Sequence, residues 1–158
     1  MSSESRESAS AQSQTAALAC PHCGGPAVRG RPRPGRTVRY RNLAALPVPA
    51  DISLPSCPRC RIEFVDPETQ ARLQPLLHEA YRRVLQQRVR VSIDALMRHI
   101  SQRKLELLLG LSQGYLSRLR SGGGNPSPEL VSNLALLAGD PVARLAELER
   151  YWAEPVAG

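Results

Sequence analysis

Two pairs of cysteines form the most specific chemical pattern in this chain of 158 residues. Two residues separate the cysteines of each pair, Cys20 with Cys23 and Cys57 with Cys60. A pair with this spacing closes a tight turn that presents two thiolates to one metal ion. Two such turns complete a tetrahedron of soft ligands, which suits Zn²⁺. The pattern therefore predicts one zinc ion per chain, bound by all four cysteines.

Paired cysteines have two other common uses, a thioredoxin-like redox motif and disulfide bonds. The first accompanies a βαβ unit, which the sequence does not indicate. The second is disfavoured in the cytoplasm. We expect this chain to be cytoplasmic, because its N-terminus has no apolar segment typical of a secretion signal. Both remain minor alternatives. Four cysteines would fill the metal's coordination shell, so we expect a structural metal and no enzymatic activity.

The segment from residue 101 to residue 122 has the pattern of a helix-turn-helix. Gly110 ends a first short helix, and we expect Ser112 to cap a second one. Leucines at spacings of three and four can pack the two helices together. These leucines are Leu105, Leu109, Leu111, Leu116 and Leu119. The outer face of the second helix would then be free to enter the major groove of DNA.

The polar residues of this segment suit contacts with DNA. Gln113 and Arg118 carry the paired groups that read adenine and guanine edges. The start of the first helix is suited to phosphate. The predicted DNA-contacting set is Gln102, Arg103, Lys104, Ser112, Gln113, Gly114, Tyr115, Ser117 and Arg118. A plain helical bundle with solvated arginines is the alternative.

Composition divides the chain into four parts, and the fold class follows from them. Residues 1–19 are polar and are expected to form a disordered tail. Residues 20–65 are expected to form a zinc-binding domain with short β-strands, including a strand-like stretch at 36–43. A linker helix is expected at 66–91 and a five-helix, all-α helix-turn-helix domain at 92–154. The prediction is an α+β chain in two parts.

Helix starts in the second half are marked by residues that favour N-caps. Asp66, followed by Pro67, is expected to begin the linker helix, and Pro75 is expected to kink it or split off its first turn. The five later helices are expected to begin after Ser92, Ser101, Ser112, Ser127 and Asp140.

The chain is strongly basic, with a net charge of +7, and 20 of its 21 basic residues are arginine. A basic surface attracts phosphate, although a high-GC genome that uses arginine as its default surface cation would give the same bias. Six arginines without an intervening acid suggest RNA binding as a weaker hypothesis, and a solvated loop is the more common role of such a run. They are Arg29, Arg31, Arg33, Arg36, Arg39 and Arg41.

Two known families resemble the two halves of the chain. Residues 101–128 resemble the helix-turn-helix of the phage-repressor (Xre) superfamily in the Ser-Gln-x-x-Leu start, the Gly110 turn, and Gly122 followed by Asn-Pro-Ser. The two cysteine pairs, with Val-Pro-Ala at 48–50 between them, are similar to YgiT-type zinc fingers. In this order, over about residues 20–153, the two resemble MqsA-type antitoxins of toxin–antitoxin systems.

This resemblance implies a homodimeric repressor that binds a palindromic operator, with a zinc domain that engages a toxin. The family reads DNA with an Asn and an Arg four residues later. Arg118 matches that Arg, whereas Gly114 stands in place of the Asn, and Arg61 stands where the family usually has Gly. A protein-interaction module and a regulator without a toxin are the alternatives. The candidates for the dimer contact, which could equally belong to the core of a single chain, are Leu145, Leu148, Tyr151 and Trp152.

Overall fold

The computed structural model describes residues 18–155. Within this range, four short strands precede five helices, which confirms the predicted α+β organisation. The strands are β1 (Val28–Arg29), β2 (Thr37–Tyr40), β3 (Leu43–Pro47) and β4 (Pro55–Ser56). The helices are α1 (Pro67–Leu96), α2 (Gln102–Leu108), α3 (Tyr115–Arg120), α4 (Pro128–Gly139) and α5 (Pro141–Ala153). The tail predicted for residues 1–19 lies almost wholly outside the described residues.

The strands form two separate antiparallel pairs. β1 pairs with β4, and β2 pairs with β3 through a short turn, forming a hairpin. The stretch predicted as one strand at 36–43 therefore contains β2, the turn and the first residue of β3. Leu43 and Leu46 of β3 are buried. The hairpin thus has an apolar face that must be covered.

The chain divides into two compact units. The first, the cysteine unit, contains residues up to 36 together with 48–73. The second, the helical unit, contains residues 37–47 together with those from 74 onward. This division differs from the expected boundaries, because the hairpin lies inside the predicted zinc domain but belongs to the helical unit.

Contacts of Tyr81 explain why the hairpin groups with the helices. This buried residue of α1 donates a hydrogen bond from its hydroxyl to Asn42 Oδ1 at 2.8 Å. Its ring meets that of Tyr40 edge to face, with centroids 5.6 Å apart. Arg41, at the turn, stacks over the same ring at 5.2 Å. Cross-strand and aromatic packing of this kind depends on partners distant in sequence.

Helix α1 is 30 residues long and begins where the sequence predicts. Asp66 accepts a hydrogen bond from the backbone N–H of Thr69 at 3.0 Å, as an N-cap does. The helix runs through Pro75 without splitting. The predicted helix start after Ser92 is wrong, because Ser92 is buried within α1 and buried apolar residues recur at spacings of four and three on both sides of it. These buried residues are Leu73, Leu77, Tyr81, Leu85, Val89, Ile93 and Leu96.

Three of the remaining helix starts are confirmed. Ser101, Ser127 and Asp140 each accept a backbone N–H bond at the start of α2, α4 and α5. Leu105, Leu116 and Leu119 are fully buried, whereas Leu109 and Leu111 are only half-buried. The predicted leucine core of the helix-turn-helix is therefore present but narrower than expected.

Candidate metal centre and nucleic-acid interface

The four predicted cysteines lie together in the cysteine unit. The Sγ atoms of Cys20 and Cys60 are 3.6 Å apart, and those of Cys23 and Cys57 are 3.5 Å apart. All four sulfurs lie within 4.8 Å of one another. A tetrahedral zinc ion with Zn–S bonds of about 2.3 Å needs sulfurs roughly 3.8 Å apart. The cluster therefore has the size and ligand chemistry for one metal ion.

The two cysteine turns have the same backbone geometry. In the first, the N–H of Gly24 donates to Cys20 O at 2.9 Å; in the second, the N–H of Arg61 donates to Cys57 O at 2.8 Å. Gly24 and Arg61 both have a positive φ, 68° and 60°. Arg61 is not glycine, so the second turn holds a residue in a backbone region that its side chain disfavours. Pairing of β1 with β4 joins the two turns.

The thiols of the cluster do not ionise equally. Backbone N–H groups of Cys60 and Arg59 outweigh burial and lower the pKa of Cys57 to about 6. A backbone N–H from Ile62 lowers the pKa of Cys60, but burial and the three neighbouring sulfurs prevail and raise it to about 12. Four thiolates this close repel one another, so a cation is needed to hold all four in the ionised state.

A buried polar cluster supports the cysteine unit beside the strands. Arg29 of β1 donates to Asp66 Oδ2 at 2.8 Å and to Thr69 Oγ1 at 3.0 Å. Burial raises the pKa of Asp66, but the hydrogen bonds from Thr69 and the charge of Arg29 lower it by a larger amount. The net shift of this pKa is therefore downward. The cluster ties the start of α1 to β1.

Most of the predicted arginine run makes contacts within the chain. Arg29 pairs with Asp66 and Glu68, and both Arg33 and Arg36 pair with Glu63. Arg41 stacks on tyrosines of the helical unit. The run is thus divided between two units, and three of its six arginines are paired with acids, which lowers the support for an RNA-binding surface.

In the helical unit, α2 and α3 form the predicted pair of short helices. The second begins at Tyr115, later than expected, and the predicted cap by Ser112 is wrong. The backbone carbonyl of Ser112 instead accepts the N–H of Tyr115 at 3.1 Å. Gly114 occupies the N-cap position with φ of 78° and offers no side-chain acceptor. The connection between the two helices, residues 109–114, is therefore longer, and the second helix shorter, than the sequence suggested.

The predicted reading residues lie on the outer side of this second helix. Gln113, Ser117 and Arg118 are exposed, and Gly114 and Tyr115 are half-buried. The guanidinium of Arg118 lies over the Tyr115 ring, 5.6 Å from its centroid. Leu116 and Leu119 occupy the opposite, buried side of α3. The helix thus presents one polar face and one apolar face.

The residues predicted to grip phosphate differ in their availability. Lys104 makes an ion pair with Glu149 of α5 at 2.6 Å. Gln102 donates its side-chain amide to Glu106 Oε1 at 3.0 Å. Arg103 is exposed and donates to Gln113 Oε1 at 3.0 Å, which links the first helix to the reading face. Arg103 is accordingly the best placed of the three.

Sequence reasoning missed the residues that hold the two ends of α3. Glu106 is buried and accepts N–H groups from the start of α3. At the other end, Gln86 and Arg90 of α1 donate to the carbonyls of Leu119 and Arg120. For Glu106, the sequence did offer a signal, namely a charged residue next to the core position Leu105. For the donors on α1 the sequence offered no signal, since they lie about 30 residues from the carbonyls that they bind.

Comparison with known proteins adds a family for part of the helical unit. A family model described as Helix-turn-helix, HTH_3, matches residues 95–139. No curated protein and no solved structure matches the chain. Across residues 18–155, none of the helices combines the length and the apolar character that crossing a membrane requires. Residues 95–139 therefore form an Xre-type helix-turn-helix domain, a DNA-binding module, and they follow a cluster of four cysteines that can hold one metal ion.

Proposed function

We propose that this protein is a transcriptional repressor that binds a specific operator sequence with α3 as its recognition helix. The two-faced character of α3 carries the proposal. Leu116 and Leu119 are buried, while Gln113, Ser117 and Arg118 face outward within the matched domain. Side chains of these types at the start of a second helix are the usual base readers of helix-turn-helix proteins.

Each exposed residue has a distinct role in this proposal. Arg118 donates two hydrogen bonds to a guanine edge. Its position over the Tyr115 ring already restricts its rotamers, so it loses less conformational freedom on binding DNA. Gln113 reads a neighbouring base. Arg103 contacts a phosphate and, through its bond to Gln113, holds that amide in place. Base contacts supply sequence preference, whereas the phosphate contact supplies affinity for any DNA.

We propose that the cysteine cluster binds zinc and that its role is structural rather than catalytic. Four sulfurs supply every ligand of a tetrahedral ion, so the arrangement has no position for a reacting water. The strands of the cysteine unit are only two residues long. Metal binding would therefore provide stability that so small a sheet cannot supply.

We propose that the protein acts as a homodimer through α4 and α5. The large apolar residues Leu136 of α4 and Tyr151 and Trp152 of α5 are 71%, 66% and 64% exposed, and exposed apolar surface of this kind often marks an interface. Leu148 is half-buried and lines a groove of about 500 Å³ beside Leu136. Leu145, also expected at the interface, is instead buried within its own chain. A two-fold dimer would double the base contacts of one short helix.

The antitoxin role is the most specific form of this proposal. It is supported by the order of the two motifs, four cysteines before an Xre-type helix-turn-helix, which resembles MqsA-type antitoxins. In that form the cysteine unit binds a toxin and the helical unit represses the operon. A regulator without a toxin would have the same DNA-binding face.

Selection of bound sequences from random DNA tests the regulatory function. The wild-type protein should enrich one palindromic sequence, and the Arg118→Ala variant should not enrich the same one. Failure of the wild-type protein to enrich any sequence would reject specific regulation. Ultracentrifugation of the Trp152→Glu variant tests the dimer, which should dissociate relative to the wild type. A wild-type monomer both free and on DNA would reject it.

Co-expression with the product of a small neighbouring gene tests the antitoxin role. The two proteins should co-purify, and the Cys57→Ala variant should lose the partner while keeping operator binding. An Arg118→Ala variant should keep the partner and lose the operator. A partner retained by Cys57→Ala and lost on changes to the helical unit would contradict the assignment.

A further inference from the structure

We infer that Glu106 is a positioning residue, whose buried carboxylate sets where the recognition helix begins and how Gln113 and Arg118 meet DNA. The inference rests on the proposed function, because it concerns the same DNA-binding face. Glu106 lies on α2 and only 3% of it is exposed. It does not reach the surface that would contact DNA, so any effect on DNA binding must pass through other residues.

The carboxylate of Glu106 accepts three hydrogen bonds. Its Oε2 atom accepts the N–H of Gly114 at 3.1 Å, and its Oε1 atom accepts the N–H of Leu116 at 3.0 Å. The amide of Gln102, one turn earlier on α2, donates to Oε1 at 3.0 Å. Both backbone donors belong to the N-cap and first turn of α3. The acceptor that usually comes from the N-cap side chain therefore comes from the preceding helix.

This source of the cap has a geometric consequence. A side chain at the N-cap position would satisfy the first N–H groups of α3 without involving α2. A carboxylate on α2 instead fixes the start of α3 relative to α2, since both its oxygens are engaged. Gln113 immediately precedes Gly114, and the N–H of Arg118 bonds to the Gly114 carbonyl at 3.1 Å. The two base-reading side chains thus extend from the segment that Glu106 holds.

Stability alone does not account for a carboxylate at this position. A buried charge costs free energy that hydrogen bonds only partly offset, and apolar residues of similar volume are often as stabilising as a buried ion. Among the described residues, Glu106 has hydrogen-bond donors but no salt bridge. What an apolar side chain cannot supply is the pair of directed bonds to α3. Orientation of the recognition helix is the property that those bonds provide.

Two variants separate orientation from packing. Glu106→Met keeps the volume and removes both acceptors. Glu106→Gln keeps one acceptor and turns an N–H donor toward a backbone N–H or the Gln102 amide. Asp51→Asn, in an exposed turn of the cysteine unit, is the matched control for loss of one negative charge. Each full-length protein is measured for thermal unfolding, for affinity to the selected operator, and for affinity to random-sequence DNA.

We expect both Glu106 variants to fold and to lose operator affinity by roughly tenfold or more, as the loss of charge-assisted hydrogen bonds implies. Their affinity for random DNA should change by less than about twofold, because the phosphate contacts remain. Asp51→Asn should match the wild type in every measurement. In the folded Glu106 variants, the amide protons of Gly114 and Leu116 should exchange with solvent faster than in the wild type.

Folded Glu106 variants that bind the operator as tightly as the wild type would overturn the inference. If neither variant folds, amide hydrogen exchange of the wild-type protein tests the cap instead. Amides of Gly114 and Leu116 that are not protected from exchange in the wild type would overturn the inference. Failure of the proposed function gives a different result, in which the wild-type protein itself prefers no sequence. The exchange measurements need no DNA, so they test the cap in either case.

Discussion

Replacing Arg118 by alanine should remove base discrimination while leaving the fold intact. Arg118 is exposed on α3, and its guanidinium contacts the chain by lying over the Tyr115 ring. Such stacking by an exposed arginine is worth only about 0.5–1 kcal/mol. The variant should therefore unfold within about 1 kcal/mol of the wild type, so any large loss in binding reports a contact with DNA.

The size of that loss follows from the proposed geometry. A bidentate contact between arginine and guanine contributes about 1–3 kcal/mol of discrimination. A dimer uses it twice, so about 2–6 kcal/mol is at stake, or roughly thirtyfold to twenty-thousandfold in affinity for the operator. An operator with that base pair already changed should bind the wild-type and variant proteins almost equally.

Salt dependence separates this base contact from a phosphate contact. When the logarithm of affinity is plotted against the logarithm of salt concentration, loss of one phosphate contact lowers the steepness of the slope by about 0.9. Loss of a base contact leaves this slope unchanged. Arg103→Ala should therefore lower the slope and weaken binding to all sequences. It should also relax the preference read by Gln113, because the bond at 3.0 Å is lost.

Binding is measured on the selected operator and on single-substituted operators at two salt concentrations. Arg83→Ala is the matched control, since it removes an equally charged arginine whose side chain is 78% exposed on α1. An Arg118→Ala protein that keeps the base preference of the wild type would refute the assignment of α3 as the reading helix.

Three further predictions concern stability. Cys57→Ala should lose zinc and unfold the cysteine unit while the hairpin at 37–47 and the helices persist, whereas His22→Ala should keep one zinc per chain, as metal analysis and circular dichroism can show. Asp66→Asn should lower the unfolding free energy by about 1–2 kcal/mol near neutral pH. Because the pKa of Asp66 is depressed in the folded protein, the stability difference between the wild type and the variant should be complete above the unfolded-state pKa of about 3.9. It should vanish as the pH falls through the folded-state pKa. Denaturant melts at several pH values that show no narrowing of this stability difference at low pH would contradict the prediction. Gly114→Ala should cost about 1 kcal/mol or more, because φ is positive although space is open, and Gly114→Asn should cost less; equal melting temperatures for the two would argue against this turn.

Features that depend on short-range spacing were predictable from the sequence. The two cysteine pairs, the N-caps Ser101, Ser127 and Asp140, and the exposed place of Arg118 are all local patterns. Each of these features involves residues at most four positions apart in the sequence, and the cysteine cluster consists of two copies of such a short pattern. Local sterics and hydrogen bonding govern these choices, so residue type and spacing suffice to predict them.

Ser112 shows where a local pattern misleads. A serine before a leucine repeat favours an N-cap, yet the acceptor for α3 is Glu106 from the neighbouring helix. The sequence offered two acceptors for the same N–H groups, and their relative positions decided between them. Ser92 misled in the same way, since burial against the helical core continues α1 past it.

The sequence by itself determined the cluster of four cysteines, the α+β order and the helix-turn-helix with its exposed arginine. Tertiary structure alone decided that the hairpin joins the helical unit, that Lys104 pairs with Glu149, and that Glu106 caps α3. The difference has one physical reason. The first group depends on geometry within a turn of chain, whereas the second depends on which surfaces meet after the chain has closed loops of about 10 to 45 residues, and hydrophobic periodicity does not specify those partners.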